Sequence, residues 1–212
     1  MAPLSARTPE SLERLKARWS DFLAQPPADF TVFDAAFTTQ EGRRAFAHRC
    51  AIVARDAEGL AAALETRNHA RVATARAGTS APGVVMMFPG GGASYPGAGR
   101  ELLSQPAFRA AVDECFQLMP ADAPADLRAL MFEREPGDAQ AARRLEQPRC
   151  NIPALFVLEY AIAKLWESWG IKPAAVIGHS AGEYAAAVAA GVMGLQDALT
   201  VVVLRGQLFE QV

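Results

Sequence analysis

The sequence has little cysteine and no long apolar segment, and both absences narrow the class of protein. Its cysteines, Cys50, Cys115 and Cys150, are odd in number and widely spaced, which argues against a disulfide framework or a zinc site. The N-terminus lacks the apolar core of a signal peptide. The most apolar stretch, residues 173–196, is interrupted by Glu183, and its clean pieces are too short to span a bilayer. This pattern is typical of a soluble, cytoplasmic protein that has no membrane partner.

An excess of charge of one sign is also missing. The 212 residues include 21 basic and 23 acidic side chains, which gives a net charge of -2. This balance argues against a general nucleic-acid-binding surface. Because 51% of the residues are hydrophobic, the chain can bury a core, and its length suits one large or two small domains.

The first part of the chain, residues 1–80, is predicted to be a small α/β unit. A helix should begin at Thr8-Pro9-Glu10, which supplies a cap, a first-turn proline and an acid. A short amphipathic helix is expected around Phe30, Phe33 and Phe37. An extended segment at 43–54 should then end in a buried strand, and residues 56–65 should form a helix. Residues 67–83 lack apolar periodicity and are interpreted as a linker.

The second part, residues 81–212, shows the alternation of strands and helices that is typical of an α/β fold with a parallel sheet. Residues 84–88 form a continuous apolar run, as in a strand covered on both faces. A second apolar run at 174–177 precedes a glycine-rich turn and a helix of small residues. Further helices are predicted at 106–119, 152–169 and 195–209.

The strongest chemical signal is Gly178-His179-Ser180-Ala181-Gly182, placed between a predicted strand and a helix. Such a nucleophile elbow needs glycines on both sides of the serine because the turn leaves no room for side chains. The Ala181 N–H and the positive end of the helix would face negative charge that develops at the site. A glycine–serine turn without chemistry is the alternative.

An oxyanion hole needs a second N–H donor, and residues 89–92 (Pro-Gly-Gly-Gly) provide a loop in which Gly91 could supply it. A phosphate cradle is the competing interpretation. No Lys-Ser/Thr pair follows the loop, and the string does not fit GxGxxG, so the phosphate cradle is rejected.

Together these segments resemble the acyltransferase domain of modular type I polyketide synthases, relatives of the malonyl-CoA:acyl carrier protein transacylases. The preceding part, from about Leu4, is similar to the linker between ketosynthase and acyltransferase. The resemblance therefore implies a linker domain over 1–80 and, over 81–212, the first part of an α/β-hydrolase-like acyltransferase subdomain. The matching strings are FPGGGASYPGAGRELL, PALFVLEYAIAKLWESWGIKPAAVIGHSAGEYAAAVAAG, LQDALTVVVLRGQLF, LSARTPESLERLKARW and GRRAFAHRCAIVARDAEGLAAAL.

The resemblance also assigns roles. Ser180 would carry the acyl group in a ping-pong transfer from acyl-CoA to the phosphopantetheine of an acyl carrier protein, with no bound cofactor or metal. Arg205 would pair with the carboxylate of a malonyl-type unit, the alternative being a solvated helix charge. Gly91 and Ala181 would give the oxyanion-hole N–H groups. From its position alone, His179 is a candidate base, but neighbours on a sharp turn point in different directions, so it is expected to line the pocket near the acyl carboxylate. Glu183 is expected to stabilise the start of the helix.

Several residues depart from the family or suit a structural role. Many relatives have glutamine where this chain has Ile152, and a hydrogen bond to the active-site loop is then lost or supplied by Gln147. His48 and His69 are not expected to be catalytic. Trp166 and Trp169, three residues apart, are more typical of core than of a site.

The general base of the family is a histidine about a hundred residues beyond the serine, after a ferredoxin-like subdomain, and this sequence contains neither. We therefore expect the nucleophile half of a site, an uncovered sheet edge, and a chain that is an incomplete part of a longer synthase. The alternatives are a non-catalytic scaffold that docks on the adjacent ketosynthase and, less well supported, an ordinary esterase.

Overall fold

A computed structural model describes residues 1–66, 70–78 and 80–211 of the chain. The chain separates into two units, Met1–Pro82 and Gly83–Val212. The separation lies two residues beyond the boundary expected from the sequence. The assignment of the first unit as a ketosynthase–acyltransferase linker remains a prediction.

Within its described residues, the first unit is a three-stranded antiparallel sheet with three helices. The strands have the order β1-β2-β3, and Leu4 pairs with Cys50, which in turn pairs with Thr74. One apolar core that includes Leu12, Ile52 and Leu60 holds the unit together. The elements are β1 (Ala2–Ala6), α1 (Pro9–Ala24), α2 (Val32–Glu41), β2 (His48–Ile52), α3 (Ala57–Thr66) and β3 (Val72–Arg76).

The helix predictions for this unit are confirmed at α1, where the Thr8 hydroxyl accepts a hydrogen bond from the Ser11 N–H at 3.2 Å. Helix α2 also forms, but its aromatic face is not buried. Phe33 is 78% exposed and Phe37 is exposed as well. The predicted short helix is therefore present, with two of its aromatic side chains exposed.

The two outer strands of the first unit, β1 and β3, were not predicted from the sequence. Strand β3 lies inside the stretch that was interpreted as a linker, so that interpretation is wrong for Val72–Arg76. Its side chains are mostly exposed, which explains the missing apolar signal. Strand β1 is short and rich in small residues. The predicted extended segment is a strand only over His48–Ile52.

The second unit has a mixed α/β fold with a parallel pair of strands, as predicted. Phe88 pairs with Gly178, so the carboxyl ends of both strands lie side by side. The elements are β4 (Val84–Phe88), a 3₁₀ turn (Arg100–Ser104), α4 (Pro106–Leu118), α5 (Leu127–Phe132), α6 (Ala139–Glu146), α7 (Pro148–Ser168), β5 (Pro173–Gly178), α8 (Gly182–Ala189) and α9 (Leu195–Phe209).

Strand β4 is covered on one face only, which corrects the expectation of a strand covered on both. Met86 and Phe88 pack against the core, whereas Val85 is exposed and Met87 is 77% exposed. Trp166 and Trp169 are likewise exposed and contact each other edge to face, so their assignment to the core is wrong. Among the described residues β4 pairs with β5 alone, in keeping with the uncovered sheet edge expected from the sequence.

Helix α7 is the centre of the second core. It packs against α4, α8 and α9, and twelve of its side chains are buried. Gly206 of α9 brings the two helices together, because a methyl group there would lie 2.8 Å from the Pro148 carbonyl oxygen. Cys115 and Cys150 are buried free thiols of this core, and burial raises the pKa of Cys115 to about 12.

One acid on α7 is buried among these apolar side chains. Glu159 is 6% exposed, and in the described part of the chain neither carboxylate oxygen has a hydrogen-bond partner. Loss of hydration disfavours the charged form and raises the pKa of Glu159 to about 8, from an ordinary value of 4.5.

The stability of this chain should therefore fall as the pH rises from about 4.5 to about 8. In that window the folded state holds a proton on Glu159 that the unfolded state has lost, so the slope should approach about 1.4 kcal/mol per pH unit. Denaturant titrations at several pH values measure this slope of the free energy of unfolding against pH. Glu159→Gln should abolish most of the slope, and exposed Glu146→Gln should retain it. An unchanged slope in Glu159→Gln would contradict this assignment.

Candidate active site

The predicted elbow is a strand–turn–helix in which only residues 179–181 separate β5 from α8. Ser180 has φ 54°, the left-handed region, and it is the one non-glycine residue with a positive φ among those described. A serine seldom adopts this conformation unless its surroundings impose it, and such strain is concentrated at functional sites. The residue is exposed at the carboxyl end of β5, as the elbow motif requires.

The two flanking glycines are required by backbone contacts. A methyl group on Gly178 would lie 2.4 Å from the Cα of Glu183. A methyl group on Gly182 would lie 2.4 Å from the carbonyl oxygens of both Phe88 and Pro89. Strand β5, helix α8 and the end of β4 therefore approach so closely that only glycine fits.

The glycine-rich loop after β4 lies directly against this elbow. The His179 N–H donates to the Phe88 carbonyl oxygen at 3.0 Å, and a methyl group on Gly90 would lie 2.7 Å from His179 Nδ1. Within the described residues, the N–H groups of Gly91 and Ala181 donate no hydrogen bond. The loop and the elbow thus each contain a backbone N–H without an acceptor, and Gly90 brings the loop against the residue that precedes Ser180.

His179 contacts the loop and forms no hydrogen bond with Ser180. Among the described residues the Ser180 hydroxyl has no hydrogen-bond partner. His48 lies in the first unit, on β2, and His69 lies outside the described residues. Glu183 is exposed in the first turn of α8, where an acid favours the positive helix end.

Arg205 is half-buried on α9 between two aromatic rings. Its guanidinium lies 5.4 Å from the Tyr184 ring centre and 5.2 Å from that of Phe209, and Nη1 donates to the Tyr184 hydroxyl at 3.1 Å. No acidic side chain in the described part of the chain forms an ion pair with it. Tyr184 lies on α8, four residues after Ser180, so a residue of the helix that follows the elbow orients the unpaired guanidinium of Arg205.

Asn151 and Tyr184 are two polar contributors that the sequence analysis missed. The Asn151 amide donates to the Ser94 hydroxyl at 3.0 Å, and its Oδ1 would lie 3.2 Å from a methyl group on Gly91. Asn151 therefore supports the loop, which corrects the suggestion that Gln147 does so. Gln147 accepts from Arg144 instead, and Ile152 is buried in the core. The sequence signal for this role was the side-chain amide of Asn151, one residue before Ile152, where many relatives have glutamine.

The described residues contain neither a candidate metal cluster nor a helix able to cross a membrane. They contain no cluster of three or more His, Cys, Asp or Glu side chains that could hold a metal ion. None of their helices is both long enough and apolar enough to cross a bilayer.

Comparison with known families decides the identity of the second unit. Residues 85–212 match the family described as "Acyl transferase domain". The chain belongs to the acyl transferase family. Residues 1–64 match a second family, described as "CurL-like, PKS C-terminal", which agrees with the synthase context expected from the sequence.

Curated relatives of this acyl transferase are polyketide synthases. The chain is 40% identical over 206 residues to orsellinic acid synthase ArmB of Armillaria ostoyae, covering 95% of this chain and 9% of the relative. It is 37% identical to erythronolide synthase EryA3 of Saccharopolyspora erythraea, covering 96% of this chain and 6% of the relative. The chain therefore spans under a tenth of the length of these relatives.

Solved acyl transferase domains share the fold. The domain of ZmaA aligns with a TM-score of 0.87 and 36% identity, covering 99% of this chain and 48% of that one. The SpnD domain in complex with 2-(pent-4-yn-1-yl)malonyl aligns with a TM-score of 0.80 and 34% identity, over 98% and 48%. A malonyl-transacylase in complex with a type II PKS acyl-carrier protein, PlMCAT:AntF, aligns with a TM-score of 0.51 and 29% identity. This alignment covers 61% of this chain and 40% of that one.

Adding one methyl group at the elbow should unfold the acyl transferase unit locally. Gly182→Ala places a Cβ against two carbonyl oxygens that cannot move independently, so we expect a loss of at least about 2 kcal/mol in the free energy of unfolding. Gly137→Ala is the matched control, because nothing lies within 4 Å of its methyl position. Urea denaturation measures both. Equal stability of the two variants would be inconsistent with the tight packing described.

Proposed function

We propose that this chain carries the nucleophile of a ping-pong acyl transfer in polyketide synthesis. The Ser180 hydroxyl attacks the thioester carbonyl of an acyl-CoA; a C–O bond forms, the C–S bond breaks, and coenzyme A leaves as the thiol. The phosphopantetheine thiol of an acyl carrier protein then takes the acyl group and regenerates the serine. The left-handed backbone of Ser180 between β5 and α8 is the observation that supports this role best.

The free backbone donors explain how such a site would lower the barrier. Negative charge develops on the carbonyl oxygen when the serine attacks, and fixed N–H groups stabilise it without reorganisation. The Gly91 and Ala181 N–H groups are the donors we assign to that oxygen. Asn151, hydrogen-bonded to Ser94 beside Gly91, would hold the loop in place.

Arg205 would select the acyl group. Its planar guanidinium has no acidic partner in the described part of the chain and can bind a carboxylate through two parallel hydrogen bonds. We therefore assign a malonyl-type donor, in which the free carboxylate pairs with Arg205. The SpnD relative was solved with a malonyl compound, which supports the class of substrate.

A general base and protein partners complete the proposal. Because no described residue bonds to the Ser180 hydroxyl, we assign the base to a histidine outside this sequence, following the family pattern. The acyl carrier protein is the acceptor, as the PlMCAT:AntF complex illustrates for a relative. The first unit is assigned as the linker to an adjacent ketosynthase, in agreement with its match to a polyketide synthase family.

Incubation with malonyl-CoA should add one malonyl group to Ser180. Intact-protein mass spectrometry under single-turnover conditions measures the adduct, and labelling should be orders of magnitude slower than in a synthase that supplies the base. Ser180→Ala should abolish it, whereas Ser104→Ala, at an exposed serine, should not. Labelling that survives in Ser180→Ala would refute the nucleophile. Complete lack of labelling in the unaltered chain would favour a non-catalytic docking role.

Arg205→Gln should change the preference between donors. Without the guanidinium, labelling by malonyl-CoA should fall about 10- to 100-fold, while labelling by acetyl-CoA, which lacks the carboxylate, should change little. The exposed Arg143→Gln on α6 serves as the control for a loss of positive charge. Competition between the two CoA esters, read by mass, measures the ratio. An equal loss for both donors would point to a structural role for Arg205.

A further inference from the structure

Tyr184 links the helix that follows the elbow to Arg205. The Tyr184 N–H donates to the Ala181 carbonyl oxygen at 3.3 Å, which fixes its backbone to the residue that follows Ser180. Its half-buried ring packs against the core of the second unit, and its hydroxyl accepts a hydrogen bond from Arg205 Nη1 at 3.1 Å. Main chain, ring and hydroxyl are therefore each held in place.

This hydroxyl has a proton that no described residue accepts. A phenol donates one hydrogen bond and can also accept, whereas a guanidinium only donates, so Arg205 is the donor in their contact. Within the described part of the chain the Tyr184 proton has no acceptor. Tyr160, by comparison, donates its proton to Glu114 at 3.0 Å. The Tyr184 hydroxyl is therefore an available donor in a fixed position beside a cation.

The charge beside this donor favours an anionic ligand. The guanidinium of Arg205 forms no ion pair with a described acid, and the rings of Tyr184 and Phe209 flank it at 5.4 and 5.2 Å. A hydrogen bond accepted from a cation polarises the phenol, and a donor binds an ionised acceptor more strongly than a neutral one. A carboxylate has two oxygens, so one can bind Arg205 while the other accepts from Tyr184.

We propose that Tyr184 determines substrate specificity together with Arg205, because its hydroxyl donates a hydrogen bond to the free carboxylate of the acyl group. This role rests on the proposed function, since that function places a malonyl-type carboxylate at Arg205. The carboxylate of a malonyl group is two bonds from the carbonyl carbon that Ser180 attacks, so its donors have to lie close to the serine. Tyr184 lies in the first turn of α8, four residues after Ser180. An acetyl group offers this hydroxyl no acceptor.

Binding of two pantetheine thioesters to the full chain tests this role without the transfer reaction. In a Ser180→Ala background, Tyr184→Phe removes the hydroxyl and retains the ring beside the guanidinium. The affinity for malonyl-pantetheine, measured by NMR titration, should fall about 10-fold, and that for acetyl-pantetheine should change little. Tyr160→Phe, which removes a hydroxyl on α7, is the matched control and should change neither affinity. An unchanged affinity for malonyl-pantetheine in Tyr184→Phe, an equal loss for both compounds, or binding of neither compound would overturn the proposal.

A fluorinated tyrosine separates donation to the carboxylate from mere support of Arg205. Fluorine beside the hydroxyl makes the phenol a stronger donor and a weaker acceptor of hydrogen bonds. With this residue in place of Tyr184, at a mildly acidic pH that keeps the phenol protonated, the preference for malonyl-pantetheine over acetyl-pantetheine should rise. An unchanged or lower preference would show that the hydroxyl acts only on Arg205 and would overturn the proposal.

Labelling of Ser180 by malonyl-CoA tests the transfer itself, so the two conclusions can fail separately. If Ser180 is labelled in the unaltered chain while binding does not depend on the Tyr184 hydroxyl, the transfer stands and the role of Tyr184 is refuted. If binding depends on that hydroxyl and no label appears, recognition of the carboxylate stands and the transfer is refuted.

Discussion

The parallel pairing of β4 with β5 is the interaction on which the rest of the second unit depends. Because Phe88 lies opposite Gly178, the chain leaves both strands at the same edge of the sheet. The glycine-rich loop and the elbow then meet without long connections, and the hydrogen bond from His179 N–H to the Phe88 carbonyl fastens one to the other. Helices α7 and α9 pack against each other and against α8, which places Asn151 beside the glycine-rich loop and Arg205 beside Tyr184.

Arg205 and Glu159 both lack an ionic partner among the described residues, and the two side chains differ in environment. Arg205 is half-buried between two rings, which hold its orientation while its charge remains available to a ligand. Glu159 is buried among apolar side chains, and this burial raises its pKa to about 8, which favours the protonated form at neutral pH.

Backbone-determined features were predictable from the sequence, and features that depend on the environment were not. The GxSxG string between an apolar run and small residues predicted the elbow, because only glycine tolerates the contacts at 178 and 182. The family resemblance was confirmed. Burial was harder to predict, since Phe33 and Trp166 have the spacing of core residues and are exposed. The unpaired state of Glu159 depends on all its neighbours at once, which spacing does not reveal.

The glycine contacts have a consequence for how such a site can diversify. Gly182 lies against the carbonyl oxygens of Phe88 and Pro89, so the spacing between Ser180 and the glycine-rich loop is set by main chain against main chain. Under the proposed function, side chains around Ser180 can then be exchanged without shifting the reacting groups. A synthase can acquire a new building block by changing the shape of its pocket while the geometry of its chemistry is inherited intact.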